Sequence, residues 1–396
     1  MRRREFLRDS AIGAVGLSLA PLATGLLRGQ SAARPDEVAT KSLIAALEEE
    51  TSALMTKARV RGASIALIGD GRLLWRRGFG VKDIRSKEPV DEFTVFQAAS
   101  TSKPVFAYAV MKLCERGVMN LDTPLTRYSP ERFLEGDARL DLITARHVLS
   151  HTSGLPNWRS KEHPLAIQFA PGEKWAYSGE GYSYLQSVVT YLNGGRVKTK
   201  ECDRFEAGIQ VCAREPSIDQ YMQKNVLGPF GMTSSGYAWT KAMEGNIAWG
   251  YDPKGQPLRS SRSPSGPAVA RYGMAGGLCT TPTDYAKFLI ELVSPKPADT
   301  FRLTRASLDE MLRPHVKWSA GKSWGLGWDI SHTGDGEFIS HGGGNPGYSC
   351  FVAASVERKS GYVIMTNSEE VGFYEVIAKL ISGDTLARLF GGKLQT

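Results

Sequence analysis

Two pairs of short strand-like runs, one near each end of the 396-residue chain, constrain its fold more than anything between them. Gly62-Ala63-Ser64-Ile65-Ala66-Leu67-Ile68-Gly69 and Arg72-Leu73-Leu74-Trp75-Arg76-Arg77-Gly78-Phe79-Gly80 flank Asp70-Gly71. An Asp-Gly pair between apolar runs predicts a tight hairpin. Gly347 to Ala354 and Gly361 to Thr366 form the second pair, around Glu357-Arg358-Lys359-Ser360. Helical spacing of Leu43, Ile44, Leu47 and Leu54 predicts a helix over Ala39 to Val60, and Val376 to Phe390 reads as a closing helix. From Ser100 to about Tyr272 the chain alternates helical patterns with Gly- and Pro-containing loops. The pattern predicts an α+β fold of α/β-sandwich type. One antiparallel sheet comes from both chain ends, with helices flanking it and a mostly helical lobe inserted in its middle. The sheet lobe is expected over about residues 38–98 and 273–396, the helical lobe over about 99–272, with an insertion at 193–215. A catalytic cleft would lie between the lobes.

The chemistry starts at Ser100-Thr101-Ser102-Lys103. Residues three apart are neighbours on a helix, so this spacing sets an ammonium beside a hydroxyl. The same spacing recurs at Ser319-Ala320-Gly321-Lys322, but that run has a glycine inside it and no apolar helix after it. Behind Ser100, Val105, Phe106, Ala109, Val110 and Leu113 make an apolar stripe ending near Gly117, and Pro104 falls in the first turn, where a missing N–H does least harm. Ser100 is then expected at the positive end of a helix, which favours an alkoxide or oxyanion. The competing reading is a helix N-cap.

Two later segments complete a constellation. Phe169-Ala170-Pro171-Gly172-Glu173-Lys174-Trp175-Ala176-Tyr177-Ser178-Gly179 carries a tyrosine after a Pro-Gly turn, and His341-Gly342-Gly343-Gly344-Asn345-Pro346-Gly347 is a glycine-rich stretch headed by a histidine. With these in order the chain resembles the serine β-lactamase and penicillin-binding protein superfamily, in its class C-like branch of esterases, D-aminopeptidases and D-Ala-D-Ala carboxypeptidases. Leu149-Ser150-His151-Thr152-Ser153-Gly154-Leu155-Pro156, Gly276 to Asp284 and Trp324-Gly325-Leu326-Gly327-Trp328 look like further recurring segments of that family, with His151 structural. The resemblance covers Ala39 to the C-terminus.

The resemblance implies that Ser100 is the nucleophile, with Lys103 and Tyr177 sharing the proton work. It places the oxyanion in the N–H groups of Ser100 and Gly344, on a substrate-binding strand that includes His341 and Gly343. Such chemistry needs no metal and no cofactor. Two departures matter. Gly179 stands where the family has an asparagine that grips an acylamide, and His341 stands where many members have a lysine. Both point away from an efficient cephalosporinase and toward an esterase or a D-amino-acid peptidase, of which the esterase is the leading reading, so the expected partner is a small-molecule ester, amide or D-peptide. A sensor that keeps the pocket without turnover, or a structural envelope protein, are the readings from other classes. Trp158, Trp175 and Trp239 are candidates for the cleft wall.

Composition adds exclusions. Arg3-Arg4-Glu5-Phe6-Leu7-Arg8, the apolar stretch Ala11 to Leu27 and Ser31-Ala32-Ala33 read as a twin-arginine export signal over residues 1–33, which predicts a periplasmic or secreted protein touching membrane only through that segment. An uncleaved anchor is the alternative. Five arginines against Glu5 and Asp9 give those residues a net +3, leaving +5 of the chain's +8 for the remainder. No basic run is interleaved with aromatics, so nucleic-acid binding is not expected. The five cysteines make no C-x-x-C pair, hence no zinc site. Cys202 and Cys212 bracket a polar stretch suited to a disulfide in an oxidising compartment, while Cys114, Cys279 and Cys350 read as buried thiols.

Overall fold

Asp70 and Gly71 both adopt positive φ, 51° and 68°, and this pair closes the hairpin of β1 (Gly62–Gly69) and β2 (Arg72–Asp83), whose final rung is Gly69 opposite Arg72. Positive φ at both loop residues matches the twist of the flanking strands, which is why Asp-Gly serves there. The computed structural model describes residues 37–197, 204–206, 209–211, 214–215, 217–258, 273–333 and 336–369. The export signal, the Cys202–Cys212 pair and the closing helix expected at Val376 to Phe390 lie outside the described residues.

In chain order, α1 (Glu37–Ala58) precedes the hairpin, and β3 (Glu88–Pro89) and β4 (Phe96–Gln97) follow it. Then come α2 (Ser102–Glu115) and α3 (Gly179–Leu192). Two small ladders occupy the stretch expected as an insertion: β5 (Arg196–Val197) pairs with β8 (Arg214–Glu215), and β6 (Arg204–Glu206) with β7 (Ile209–Val211). β9 (Cys279–Thr280), α4 (Pro282–Val293) and α5 (Arg305–Leu312) lead to β10 (Val316–Ser319), β11 (Lys322–Trp324), β12 (Asp329–Thr333), β13 (Gly336–Asn345), β14 (Tyr348–Ser355) and β15 (Ser360–Thr366). Among the described residues the main sheet has nine strands in the order β10-β11-β12-β13-β14-β15-β1-β2-β3, every neighbouring pair antiparallel. The hairpin from one end of the chain thus docks against the last strand from the other, Ile65 facing Ile364.

β1 is buried along its whole length, so its sequence is a continuous apolar run rather than an alternating one. Its residues still divide by face. Ala63, Ile65 and Leu67 join Leu43, Leu47 and Met55 of α1, whereas Ala66 and Ile68 join the larger core that holds α2, α3 and α4. Leu43, Leu47, Thr51 and Met55, each four residues from the last, are the buried stripe of α1. α4 packs on the opposite sheet face, with Pro282 in its first turn and Thr281 capping it through Asp284 N. α2 is apolar on nearly every side and buried from Ser102 to Leu113, as befits a helix between the sheet and the remaining helices.

The middle of the chain is less helical than its pattern predicts. Residues 150–178 contain no helix or strand. They are held instead by backbone bonds that run back to one short segment: Gly172 N to Thr152 O, Ala176 N to His151 O and Gln168 N to Gly154 O, each 2.8 Å. A long loop survives burial only with such bonds. The second Ser-x-x-Lys run forms the turn between β10 and β11, with Gly321 at φ 68°; it nucleates no helix.

Candidate active site

Ser100 lies in a 3₁₀ turn, Ala99–Thr101, that runs directly into α2. The N-cap of α2 is Thr101, with no side-chain capping bond, so Ser100 is not a capping residue. Ala99 is held at φ 45°, a conformation that costs a non-glycine residue about 1 kcal/mol or more. Backbone strain of this kind is a recurring feature of active sites. Nothing in the sequence signals it.

Lys103 is fully buried, and its Nζ donates to Ser100 Oγ at 3.2 Å and to the carbonyl of Ala275 at 2.6 Å. The rings of Tyr177 and Tyr182 lie 4.7 and 5.5 Å from the same nitrogen. Among the described residues no carboxylate forms an ion pair with it. Desolvation therefore acts without an anionic counterweight and lowers its pKa from the usual 10.5 to about 7. At neutral pH about half of the molecules then carry a free amine beside the hydroxyl. The short helix Gly273–Gly276 supplies the Ala275 carbonyl, and Gln186 of α3 holds it by accepting from Met274 N at 2.8 Å. Sequence reading passed over Ala275, because a backbone acceptor leaves no side-chain signature.

Tyr177 immediately precedes Ser178, which caps α3 by accepting from Gly181 N at 2.9 Å. His151 grips the segment on both sides of the tyrosine: its carbonyl accepts from Ala176 N at 2.8 Å and its Nδ1 from Ser178 N at 3.1 Å. The imidazole lies 4.2 Å from the Tyr177 ring, centroid to centroid. An acceptor Nδ1 requires a neutral ring, and burial, with repulsion from the nearby Lys103 second to it, pushes the His151 pKa well below 6.5. His151 thus has a defined positional task. Trp324 packs at 5.9 Å from Tyr177 and 5.6 Å from His341, and Trp175 stacks on Trp318 at 5.0 Å. Of the three tryptophans singled out in the sequence, Trp175 joins this aromatic cluster, Trp158 covers Gly179, and Trp239 makes no ring contact with either.

The glycine-rich segment belongs to a strand, β13. β13 pairs with β12 only as far as Ser340 opposite Asp329, whereas its pairing with β14 continues to Asn345 opposite Tyr348. Among the described residues, 341–345 therefore have no strand partner on the β12 side. The two-residue loop Pro346-Gly347 makes Asn345 and Tyr348 a hydrogen-bonded pair, and ladder alternation then turns the N–H of Gly344 away from β14, toward that edge. Gly343 abuts the Ser100 turn so closely that a Cβ there would lie 2.8 Å from Ser100 N, 2.8 Å from Cys350 Sγ and 3.0 Å from Ala98 O. Only glycine permits this approach. Cys350 donates from behind the turn to Ala98 O at 2.8 Å, and burial lifts its pKa to about 12, so it is an unreactive thiol with a polar contact. Asn345 ties the end of β13 to Gln97 Oε1 at 2.9 Å and Gly276 O at 3.0 Å.

His341 is held without charge at physiological pH. It is buried, its Nδ1 donates to Gly342 O at 2.6 Å, and desolvation with repulsion from Lys103 drives its pKa to about 3. The ring is neutral throughout the physiological range, leaving Nε2 a buried lone pair with no hydrogen-bond partner among the described residues.

A strained serine turn, a desolvated lysine and an open strand edge on a sheet between helical layers define a serine hydrolase of the acyl-transfer kind. The family model described as Beta-lactamase matches residues 47–381, and the chain belongs to that family, within the serine β-lactamase and penicillin-binding protein superfamily. It is 25% identical over 347 residues to penicillin-binding protein 4* of Bacillus subtilis, covering 81% of this chain and 70% of that protein. It is 39% identical over 168 residues to esterase EstB of Burkholderia gladioli, covering 35% of this chain and 42% of that one. The chain spans 63 to 70% of the length of the first curated relatives it matches. The structure of D-alanine carboxypeptidase AmpC from Burkholderia cenocepacia shares the fold, with a TM-score of 0.68 at 18% identity, over 86% of this chain and 99% of that one.

Proposed function

We propose that this protein is an exported esterase that works through a Ser100 acyl-enzyme. The observation that carries the reading is the Lys103 amine, buried without an anionic partner and 3.2 Å from the Ser100 hydroxyl. As a base it takes the hydroxyl proton while Oγ bonds to the ester carbonyl carbon. The carbonyl electron pair moves onto oxygen, which the N–H groups of Ser100 and Gly344 receive. When the tetrahedral intermediate collapses, the alcohol leaves with a proton delivered through Lys103 and Tyr177. Water then repeats the sequence on the acyl-enzyme, freeing the acid and restoring Ser100.

Preference for an ester over a peptide or β-lactam is supported by one charge argument and one hydrogen-bonding argument. A neutral His341 offers no cation for a substrate carboxylate, and Gly179 offers no amide for an acylamino group. The 39% identity to an esterase over part of the chain agrees with this. A D-alanyl peptidase is the second reading, supported by the broader likeness to a penicillin-binding protein. The Arg3-Arg4 segment supports export by the twin-arginine route to the periplasm or beyond. Hydrolysis of p-nitrophenyl butyrate by the wild type and by Ser100→Ala tests the reading. Turnover that falls at least a thousandfold in the variant is expected; equal rates in both proteins, or cleavage of a D-Ala-D-Ala peptide in preference to the ester, would overturn it.

A further inference from the structure

The indole of Trp158 fills the space into which any side chain at position 179 would project. A Cβ on Gly179 would lie 2.5, 2.6 and 2.8 Å from Cζ2, Cη2 and Cε2 of that ring. The ring is held in place by its neighbours on both sides. Asn157 accepts from Gly179 N through Oδ1 and from Glu180 N through its carbonyl, both at 3.0 Å. Arg159 donates to the buried Glu180 carboxylate from its backbone N at 3.2 Å, from Nε at 2.9 Å and from Nη2 at 2.7 Å. The Arg159 guanidinium also lies over the Phe133 ring at 5.0 Å. Residues 157–159 are thus fastened to the first turn of α3, and the half-buried Trp158 between them has little freedom to move.

Position 179 faces the chemistry. It shares a helix face with Tyr182, three residues on, whose ring is 5.5 Å from Lys103 Nζ. Tyr177, two residues before it, is 4.7 Å from the same nitrogen. An aromatic wall stands where a residue at this position would otherwise present a side chain toward Lys103.

We propose that Trp158 is a specificity-determining residue that receives the acyl group of the substrate against its indole, selecting alkyl or aryl acyl groups that lack an α-acylamino substituent. The proposal rests on the acyl-enzyme reading given above. Flat apolar surface rewards an aryl or alkyl group and leaves an amide without a partner. Gly179 is the other half of the device, because any larger residue would displace the ring.

Reversible adducts with boronic acids test this without requiring turnover. Ser100 Oγ bonds to boron, its proton passes to solvent by way of Lys103, and boron becomes a tetrahedral anion. Calorimetric titration with benzeneboronic acid and with methylboronic acid gives the preference for an aryl group. We expect a preference of about tenfold in the wild type. In Trp158→Ala and in Gly179→Ala it falls to about twofold or less, and the double variant shows no further loss, because both changes remove one interaction. Circular dichroism and thermal melts check folding. If Trp158→Ala does not fold, Trp158→Leu and Gly179→Ala carry the test. A preference unchanged in both single variants, losses that add in the double variant, or no adduct with the wild type would overturn the proposal. The two readings fail differently. Boronates bound with the expected pattern but no ester cleaved would sink the esterase and keep the wall, while Ser100-dependent ester cleavage with an unchanged preference would sink only the wall.

Discussion

Replacing Lys103 by Met separates the cost of the buried amine from its use. The folded protein lowers this pKa from 10.5 to about 7 by desolvation, so between those values the unfolded chain binds a proton that the folded one does not. Stability associated with this group is present above pH 10.5 and is lost as pH falls through 7. At about 1.4 kcal/mol per tenfold, the full loss is about 5 kcal/mol, reached near pH 6. Met removes that cost but leaves the Ala275 carbonyl, which now accepts from Nζ at 2.6 Å, without its donor, a penalty of about 1–3 kcal/mol. Lys103→Met should therefore be more stable than wild type by about 2–4 kcal/mol at pH 6 and less stable by about 1–3 kcal/mol above pH 10. Urea denaturation of both proteins at intervals from pH 6 to 10.5 measures the difference directly. Ester hydrolysis should fall by about 10²–10⁴-fold in the variant. In the wild type, kcat/KM should rise tenfold per pH unit below about 7 and level off above it. A stability difference that does not change with pH, or a wild-type rate that is flat from pH 5.5 to 7, would refute the reasoning.

Gly343→Ala forces a methyl to within 2.8 Å of Ser100 N. It should cost about 1–3 kcal/mol in a denaturation assay and lower kcat/KM about a hundredfold or more, through displacement of the nucleophile turn against the strand; a rate within threefold of wild type would show that the contact relaxes freely. His341 stays neutral when folded but protonates near 6.5 when unfolded, so stability present above pH 6.5 is lost as pH falls toward 3, at a slope of about 1.4 kcal/mol per pH unit. Urea melts between pH 4 and 7 should show that slope reduced by this amount in His341→Gln; identical slopes in the two proteins would count against a neutral, buried imidazole.

Sequence by itself determined the elements whose local chemistry leaves no alternative. Asp70-Gly71 fixed a hairpin because both residues tolerate positive φ, and β1 and β15 announced themselves as unbroken apolar runs because both of their faces are covered. Ser100, Lys103, Tyr177 and the glycines at 343 and 344 were singled out because their segments resemble family motifs, and the folded chain brings Lys103 to 3.2 Å from Ser100 and Gly343 against the Ser100 turn. Tertiary structure alone decided what the groups do to one another. A pKa depends on what surrounds a side chain, so the neutrality of His341 and the weakened proton affinity of Lys103 follow from burial that no periodicity encodes. The Ala275 carbonyl, 172 residues away from Lys103 in sequence, enters the site as backbone and so has no letter of its own. Gly179 shows the same division: the sequence marks a missing asparagine, but only the folded chain brings Trp158, 21 positions earlier, into the space that glycine leaves open.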